Sequence, residues 1–339
     1  MDESREKTQI LLNYLRLIRP PSIGSTCIVI ITGYLIMIGT TIDLLNFSVL
    51  FIIGVFSHIF GFVLNEYIDI KVDEKSQFLK DKPLVSGVVS KNHALFIVLF
   101  SFISAFALAI IFFHSIYPLL FLFLSLLFGG IYDIVGKKLF FSDIFIGGSS
   151  FFACLFGASI VSIHFTNLVY IISLSIFIFI IFCNAVVGGI KDVEHDLIAD
   201  AKTTAIRLRV KFKNNKMLIT KKFKIFSYAL EIIFIILIIF AVFQPELKFW
   251  LSGVYLPFII LIFLVGVVFV TLYKFLNLSN FDKPWLFRLF MLNGTATYLL
   301  VPIVLMPLIG LYIMIFLLIF PTTWFIIWNL VLYGNFIQT

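Results

Sequence analysis

Two short stretches hold most of the chemistry legible in this 339-residue chain: of its 18 acidic residues, four fall in 65-NEYIDIKVDE-74 and four in 192-DVEHDLIAD-200. Each stretch closes a long apolar run. Asn65, Asp69 and Asp73 are spaced four apart, as are Asp192, Asp196 and Asp200, so each trio predicts a stripe of oxygens on one helical face. Isolated acids at this spacing are ordinarily solvated loop residues. Here they extend helix C-termini, where the macrodipole disfavours negative charge and neighbouring carboxylates repel, so a cation is expected to neutralise them. Carboxylate and amide oxygens without His or Cys suit magnesium, which keeps waters and shares its shell with substrate phosphates. Two facing stripes therefore predict a magnesium-diphosphate site. Lys82, Lys137, Lys138 and Lys191 fall on the same face and would meet the outer phosphate oxygens, although each alone is also explained by membrane topology. Ionising an allylic diphosphate requires stabilising the charge that develops on the leaving group. The apolar tail would lie among helices rich in the chain's 43 phenylalanines.

The elements that must position these acids follow from composition. With 61% hydrophobic and only 13% charged residues, the chain departs far from the roughly 25% charged of soluble domains. A soluble, disordered or nucleic-acid-binding protein is excluded, and a polytopic membrane protein is expected. Apolar runs near 21–41, 46–65, 93–113, 116–132, 144–163, 167–189, 225–243, 249–273, 287–306 and 309–333 read as ten helical spans rather than barrel strands, because they are unbroken and lack ten-residue alternation. With a cytoplasmic N-terminus, 24 of the 25 Lys and Arg fall on the cytoplasmic side and only Lys248 opposite. That bias accounts for the net charge of +7 without nucleic acid. The basic run from Arg207 to Lys224 is assigned to anionic headgroups, and residues 10–19 to a short interfacial helix. The opening, which mixes acids and bases and has no short apolar core before a cleavage site, is expected to carry no removable signal peptide. Cys27, Cys154 and Cys183 lie in apolar runs without metal or disulfide spacing and read as buried thiols.

Other polar residues carry competing readings. Glu231, inside the seventh span, is an intramembrane acid expected to snorkel or to pair with Lys222 or Lys224. Asn184, eight residues before Asp192, faces the same cavity and either orients the acceptor or metal shell or makes an interhelical hydrogen bond. Ser142 and Asp143 read as N-cap and first-turn acid of the fifth span. Gly129-Gly130, Gly147-Gly148 and Gly188-Gly189 are expected at close helix approaches.

At the two acid motifs the chain resembles the UbiA superfamily of intramembrane prenyltransferases. The family's NDxxDxxxD is matched by 65-NEYIDIKVD-73, and its DxEGDxxxGxxT by 192-DVEHDLIADAKT-203. The resemblance implies metal binding by Asn65, Asp69, Asp73, Asp192 and Asp196. It places Tyr132 and Lys137 of 132-YDIVGK-137 beside the diphosphate, with 82-KPLVSG-87 and Arg19-Pro20 matching two further motifs. Departures are Glu66 for Asp, Lys82 for Arg after a loop about two residues longer than the family's usual one, and His195 where Gly is usual. The implied fold is a UbiA-like bundle of nine transmembrane helices whose central cavity opens at the cytoplasmic face. The chain thus divides into a cytoplasmic segment 1–20, a prenyltransferase domain 21–306 and an extra apolar span 307–339.

The expected function is magnesium-dependent transfer of an isoprenyl group from an allylic polyprenyl diphosphate, with two metal ions. The acceptor is aromatic, such as a hydroxybenzoate or quinone precursor, or a glycerol-type lipid. Asp69, Asp73, Asp192, Asp196 and Lys137 carry the catalytic roles. Arg19, Lys82, Tyr132, Lys138, Asn184 and Lys191 bind substrate. A UbiA-like terpene cyclase would use the same site with an internal alkene as nucleophile. A cation transporter fits less well, because transporter sites lie near the midplane and these acids sit at one rim. A dead scaffold would not retain both motifs. The Phe-, Ile- and Lys-rich composition points to an AT-rich bacterial or archaeal genome.

Overall fold

The computed structural model describes residues 3–74, 79–213, 216–247, 256–278 and 283–334. Helix α1 (Glu3–Ile18) runs to a 3-10 turn at Pro20–Ser22, followed by α2 (Ile23–Ile38), α3 (Leu44–Asp73), α4 (Lys91–Phe112), α5 (Ile116–Val135) and α6 (Asp143–Ser159). Next comes α7 (Asn167–Ile181), which continues through a π-helical stretch, Phe182–Gly188, into α8 (Gly189–Lys191). Short helices α9 (Val193–Ile198) and α10 (Thr204–Arg207) precede an antiparallel hairpin, β1 (Lys211–Lys213) and β2 (Lys216–Leu218), in which Lys211 pairs with Leu218. The chain then forms α11 (Lys221–Val242), α12 (Leu256–Leu276), α13 (Lys283–Ile309) and α14 (Leu311–Tyr333).

Among the described residues, nine helical segments are long and apolar enough to cross a membrane. All ten expected apolar runs are helical where described, but the fifth, expected over 144–163, is only 17 residues long and ends at Ser159. The helix expected at 10–19 is longer, starting at Glu3. Lys248 and the beginning of the eighth expected span lie outside the described residues.

In lipid the tails are as apolar as Leu, so helices associate through close packing rather than water exclusion. The α2–α6 crossing illustrates this. A Cβ on Gly33 would drive into the Cys154 carbonyl, and one on Gly157 into the Ile30 carbonyl, so only hydrogen at both positions lets the backbones meet. Of the glycine pairs expected at close approaches, Gly147 packs on α7 and Gly148 under Phe128, while Gly189 meets Ala205. The main apolar core joins α2, α6, α7 and α11–α14 around residues such as Ile31, Leu35, Phe234 and Val304.

One helix length matters most for the site. At 1.5 Å per residue, the 30 residues of α3 span about 45 Å, against a hydrocarbon core of about 30 Å. That excess of roughly three turns is long enough to carry residues 65–73 past an apolar layer of that thickness on one continuous helix. No Pro or Gly interrupts that final stretch.

Candidate active site

The first acid motif is helical throughout, as its spacing predicts, and it is densely paired. Lys82 bridges two carboxylates, Asp73 Oδ2 at 2.7 Å and Glu66 Oε2 at 3.1 Å. Lys137, just beyond α5, bridges Asp69 Oδ2 at 2.9 Å and Asp73 Oδ1 at 3.4 Å. Arg19 pairs with Glu66 Oε1. Asn65 donates through Nδ2 to Asp133 Oδ1 at 3.1 Å. Glu66 and Asp73 are 4% and 1% exposed, so these charges persist only because they are matched. Burial alone would push the Lys137 ammonium down, but the Asp69 and Asp73 carboxylates more than reverse this and hold it above the ordinary lysine range.

Glu66 and Asp133 were not singled out in the sequence. Glu66, treated only as a replacement for Asp, is the shared acceptor of Arg19 and Lys82. Its position three before Asp69 and seven before Asp73 on one helix was the available signal. Asp133 lies four residues before Lys137, and its Oδ2 is buried without a partner.

The second motif does not form a continuous stripe, contrary to the spacing argument. The helix breaks at Asp192, which ends α8 and opens α9, and Asp200 adopts a left-handed conformation (φ 54°) beyond the end of α9. Asp196 is buried and accepts from Thr203 Oγ1 at 2.9 Å. Burial pushes its carboxyl up to about 6, against the Thr203 bond and with neighbouring Asp192 adding to the rise. Asp192 and Lys191 are exposed on the rim.

The break folds the 199–202 loop back onto α5, where the Lys202 amide donates to the Lys137 carbonyl at 2.8 Å. Between α3, α5 and this loop lies a cavity of about 210 Å³ lined by Asp69, Asp133, Lys137, Lys138, Asp200 and Lys202. The structure thus brings the first motif, both lysines after α5 and the second loop together. It leaves Lys191 and Asp192 at the edge, without an ion pair among the described residues.

Ser142 and Asp143 stand at the N-cap and in the first turn of α6, as expected, but Ser142 makes no side-chain capping bond and donates instead to the Gly136 carbonyl. The Asp143 carboxylate accepts from Asn184 Nδ2 at 2.8 Å and from Thr204 Oγ1 at 2.5 Å. Asn184 also donates to the Tyr132 hydroxyl at 2.6 Å, so of its two expected roles the interhelical bond is the one formed. Its place in the π-helical stretch shifts it from the simple helical register with Asp192. Glu231 neither snorkels nor pairs with a lysine. It is 1% exposed and, among the described residues, accepts one hydrogen bond, from Thr297 Oγ1 at 3.4 Å, while Lys224 bonds Asn277 instead. Of the three thiols, Cys27 and Cys154 are buried and Cys183 half-buried, all free.

The donor set suits a hard divalent cation: Asn65, Asp69, Asp73, Asp192 and Asp196 offer only oxygens toward a metal, and the orphaned Asp133 oxygen adds acceptor capacity beside them. Among the described residues no three His, Cys, Asp or Glu side chains converge tightly enough to hold an ion by themselves. Waters or phosphate oxygens would have to complete the shell, as magnesium prefers.

A multi-pass helical bundle with paired acids and lysines at one rim defines a class of membrane protein, and comparison with known proteins gives the family. The profile of the UbiA prenyltransferase family matches residues 26–294. Among solved structures, one described as digeranylgeranylglyceryl phosphate synthase in membranes is 22% identical, with TM-score 0.61 over 89% of this chain and 98% of that one. A UbiA homologue from Archaeoglobus fulgidus bound to GPP and Mg2+ is 18% identical, with TM-score 0.61 over 87% and 99%. An apo UbiA homologue from Aeropyrum pernix K1 is 16% identical, with TM-score 0.64 over 84% and 96%. Comparison with curated proteins found no match. The chain belongs to the UbiA prenyltransferase family. It is an intramembrane prenyltransferase by that membership.

Proposed function

We propose that this protein transfers an isoprenyl group from an allylic polyprenyl diphosphate to a hydroxyl-bearing glycerol lipid or an aromatic acceptor, with Mg2+ as cofactor. The observation that carries this reading is the double bridging of Lys82 and Lys137 between α3 carboxylates beside the cavity. Cations and anions are held there in the arrangement that a metal diphosphate would need, at the end of an apolar bundle suited to an isoprenoid tail. The A. fulgidus homologue's complex with GPP and Mg2+ supports the same chemistry.

Asn65, Asp69, Asp73, Asp192 and Asp196 would hold the metal, two ions in this reading, whose charge stabilises the departing diphosphate. Lys137, Lys82 and Arg19 would turn from their carboxylates toward the outer phosphate oxygens, while Lys138 and Lys191 add positive charge at the rim. The allylic C–O bond breaks with its electron pair leaving on diphosphate. The acceptor's nucleophilic oxygen or carbon then attacks the allylic cation and loses its proton. Tyr132, held by Asn184, borders this chemistry from α5.

The test is diphosphate release by purified protein in lipid nanodiscs with Mg2+ and allylic diphosphates of several chain lengths. Each is offered with and without glycerol-lipid and aromatic acceptors. Release that requires an acceptor supports the transferase and identifies the acceptor. Release without one converts the reading to a cyclase, and no release with any combination overturns both.

A further inference from the structure

The turn that presents Arg19 is held in an unfavourable shape by side chains from distant helices. Arg19 is left-handed (φ 47°, ψ 60°). That region is costly for any residue with a Cβ, and a following proline normally pushes its predecessor to extended backbone. Two anchors oppose relaxation. His58 of α3, 2% exposed, places Nε2 at 3.1 Å from the Ile18 carbonyl and 3.2 Å from that of Arg19, with Nδ1 2.9 Å from Thr26 Oγ1. Carbonyls only accept, so Nε2 carries the proton. The second anchor comes from the far end of the chain: Trp324 of α14 donates through Nε1 to the Pro20 carbonyl at 2.8 Å.

The indole seats against Gly24, where a Cβ would come within 3.1 Å of the ring. It packs on Phe51 and Phe320. Tyr333, at the end of the same helix, lies 5.9 Å from the Arg16 guanidinium, and Tyr298 ties α13 to α14 through the Leu317 carbonyl at 2.5 Å. Both the Arg19 turn and α14 fall outside residues 26–294, where the family profile matches.

We propose that Trp324 is a positioning residue for the diphosphate, and that α14 belongs to the substrate-binding apparatus by holding the Arg19 turn through the Pro20 carbonyl. The inference rests on the proposed role of Arg19 at the diphosphate. With the indole N–H gone, the turn relaxes toward the extended region that proline prefers, and the guanidinium leaves the side of Glu66.

The experiment compares wild type, Trp324→Phe, Gly24→Ala, Arg19→Gln and the double variant Trp324→Phe/Arg19→Gln in nanodiscs. It measures KM for the allylic diphosphate, KM for the acceptor, kcat, and the Kd for geranyl diphosphate with Mg2+. Trp324→Phe keeps an aromatic side chain while removing the donor and part of the indole's bulk, so loss of at least one ordinary hydrogen bond predicts a rise of about fivefold or more in diphosphate KM and Kd. The kcat and acceptor KM should stay within about twofold, and the double variant should be no worse than Arg19→Gln alone. Gly24→Ala displaces the indole without altering α14 and should shift the same two constants upward, which covers a Trp324 variant that fails to fold. Normal diphosphate KM in Trp324→Phe and Gly24→Ala, with KM raised in Arg19→Gln, overturns the inference and leaves the role of Arg19 standing. Unchanged KM in Arg19→Gln removes that role and the inference with it. Additive effects in the double variant overturn the inference by showing that Trp324 acts through another route.

Discussion

Asp143 shows how a single carboxylate can hold the place its sequence predicts and still make bonds that the sequence does not record. Following a serine at the start of an apolar run, it has the sequence setting of a first-turn helix acid. In the fold it is the meeting point of α6, the π-helical stretch and α10, accepting from Asn184 and Thr204. Removing it strands two donors. Asp143→Ala should therefore cost about 2 kcal/mol or more, read as a lowered thermal midpoint in detergent. Asp143→Asn should cost less, since the Thr204 hydroxyl can rotate to accept from the new amide. Equal midpoints for the two variants would refute the hub. At Lys137 the expected effect is on catalysis rather than stability: Lys137→Met should lower kcat/KM by about 100-fold while the protein remains folded. A variant with wild-type kcat/KM would remove the lysine from the site. The acids of the first motif were legible because four-residue spacing on a continuous helix leaves little freedom. Asp143 was not, because its partners Asn184 and Thr204 lie 41 and 61 residues away, and no local pattern records a bond of that span.

Between elements, the two acid motifs have different mechanical support. The first rides on α3, whose length was implicit in an apolar run passing directly into the acids. The second lies where α8, α9 and a left-handed Asp200 succeed one another, so four-residue spacing misrepresented its shape. Spacing predicts a stripe only while the helix continues, and nothing in 192-DVEHDLIAD-200 marks the break at Asp192 as Pro or Gly would. The α2–α6 crossing is equally hidden in the sequence: Gly33 and Gly157 are single glycines in separate runs, without the doublet that marks Gly147-Gly148. Gly157→Leu places a side chain against the Ile30 carbonyl. It should destabilise the bundle by about 1–3 kcal/mol or more, seen as loss of monodisperse protein or a lower thermal midpoint. The equivalent change at Gly61, where a Cβ meets nothing within 4 Å, should be tolerated. Similar behaviour of the two variants would refute the close crossing.

Across the whole molecule, composition alone announced a polytopic helical membrane protein, and each of the ten apolar runs holds a helix where the structure describes it, although α3 runs on to Asp73, well past the expected 65. What composition could not convey was that α6 ends at Ser159, short of the expected 163, and that α14 reaches back to the N-terminal turn. The charge bias makes a prediction about sidedness. We expect the acid-bearing rim to face the cytoplasm, and the free thiols, none of them on an exposed surface, leave a quiet background for testing it. In intact cells, a cysteine introduced at Thr41, in the turn between α2 and α3, should react with an impermeant maleimide. One at Lys211 in the hairpin should react only after lysis. The reverse pattern would invert the topology.

In the proposed reading, the bridging lysines would also make the site a charge-exchange device. Without a ligand, the carboxylates of Glu66, Asp69 and Asp73 are already satisfied by Lys82 and Lys137. A metal arriving alone must displace ammonium groups that then have no anion, and a diphosphate arriving alone must draw lysines away from carboxylates left bare. Arriving together, they swap partners and every charge stays matched. Each should therefore raise the other's affinity, by a coupling that is equal in both directions. Calorimetric titrations of Mg2+ with and without geranyl diphosphate, and the converse pair, should give the same factor, of about tenfold or more. Independent binding would mean that the lysines never change hands.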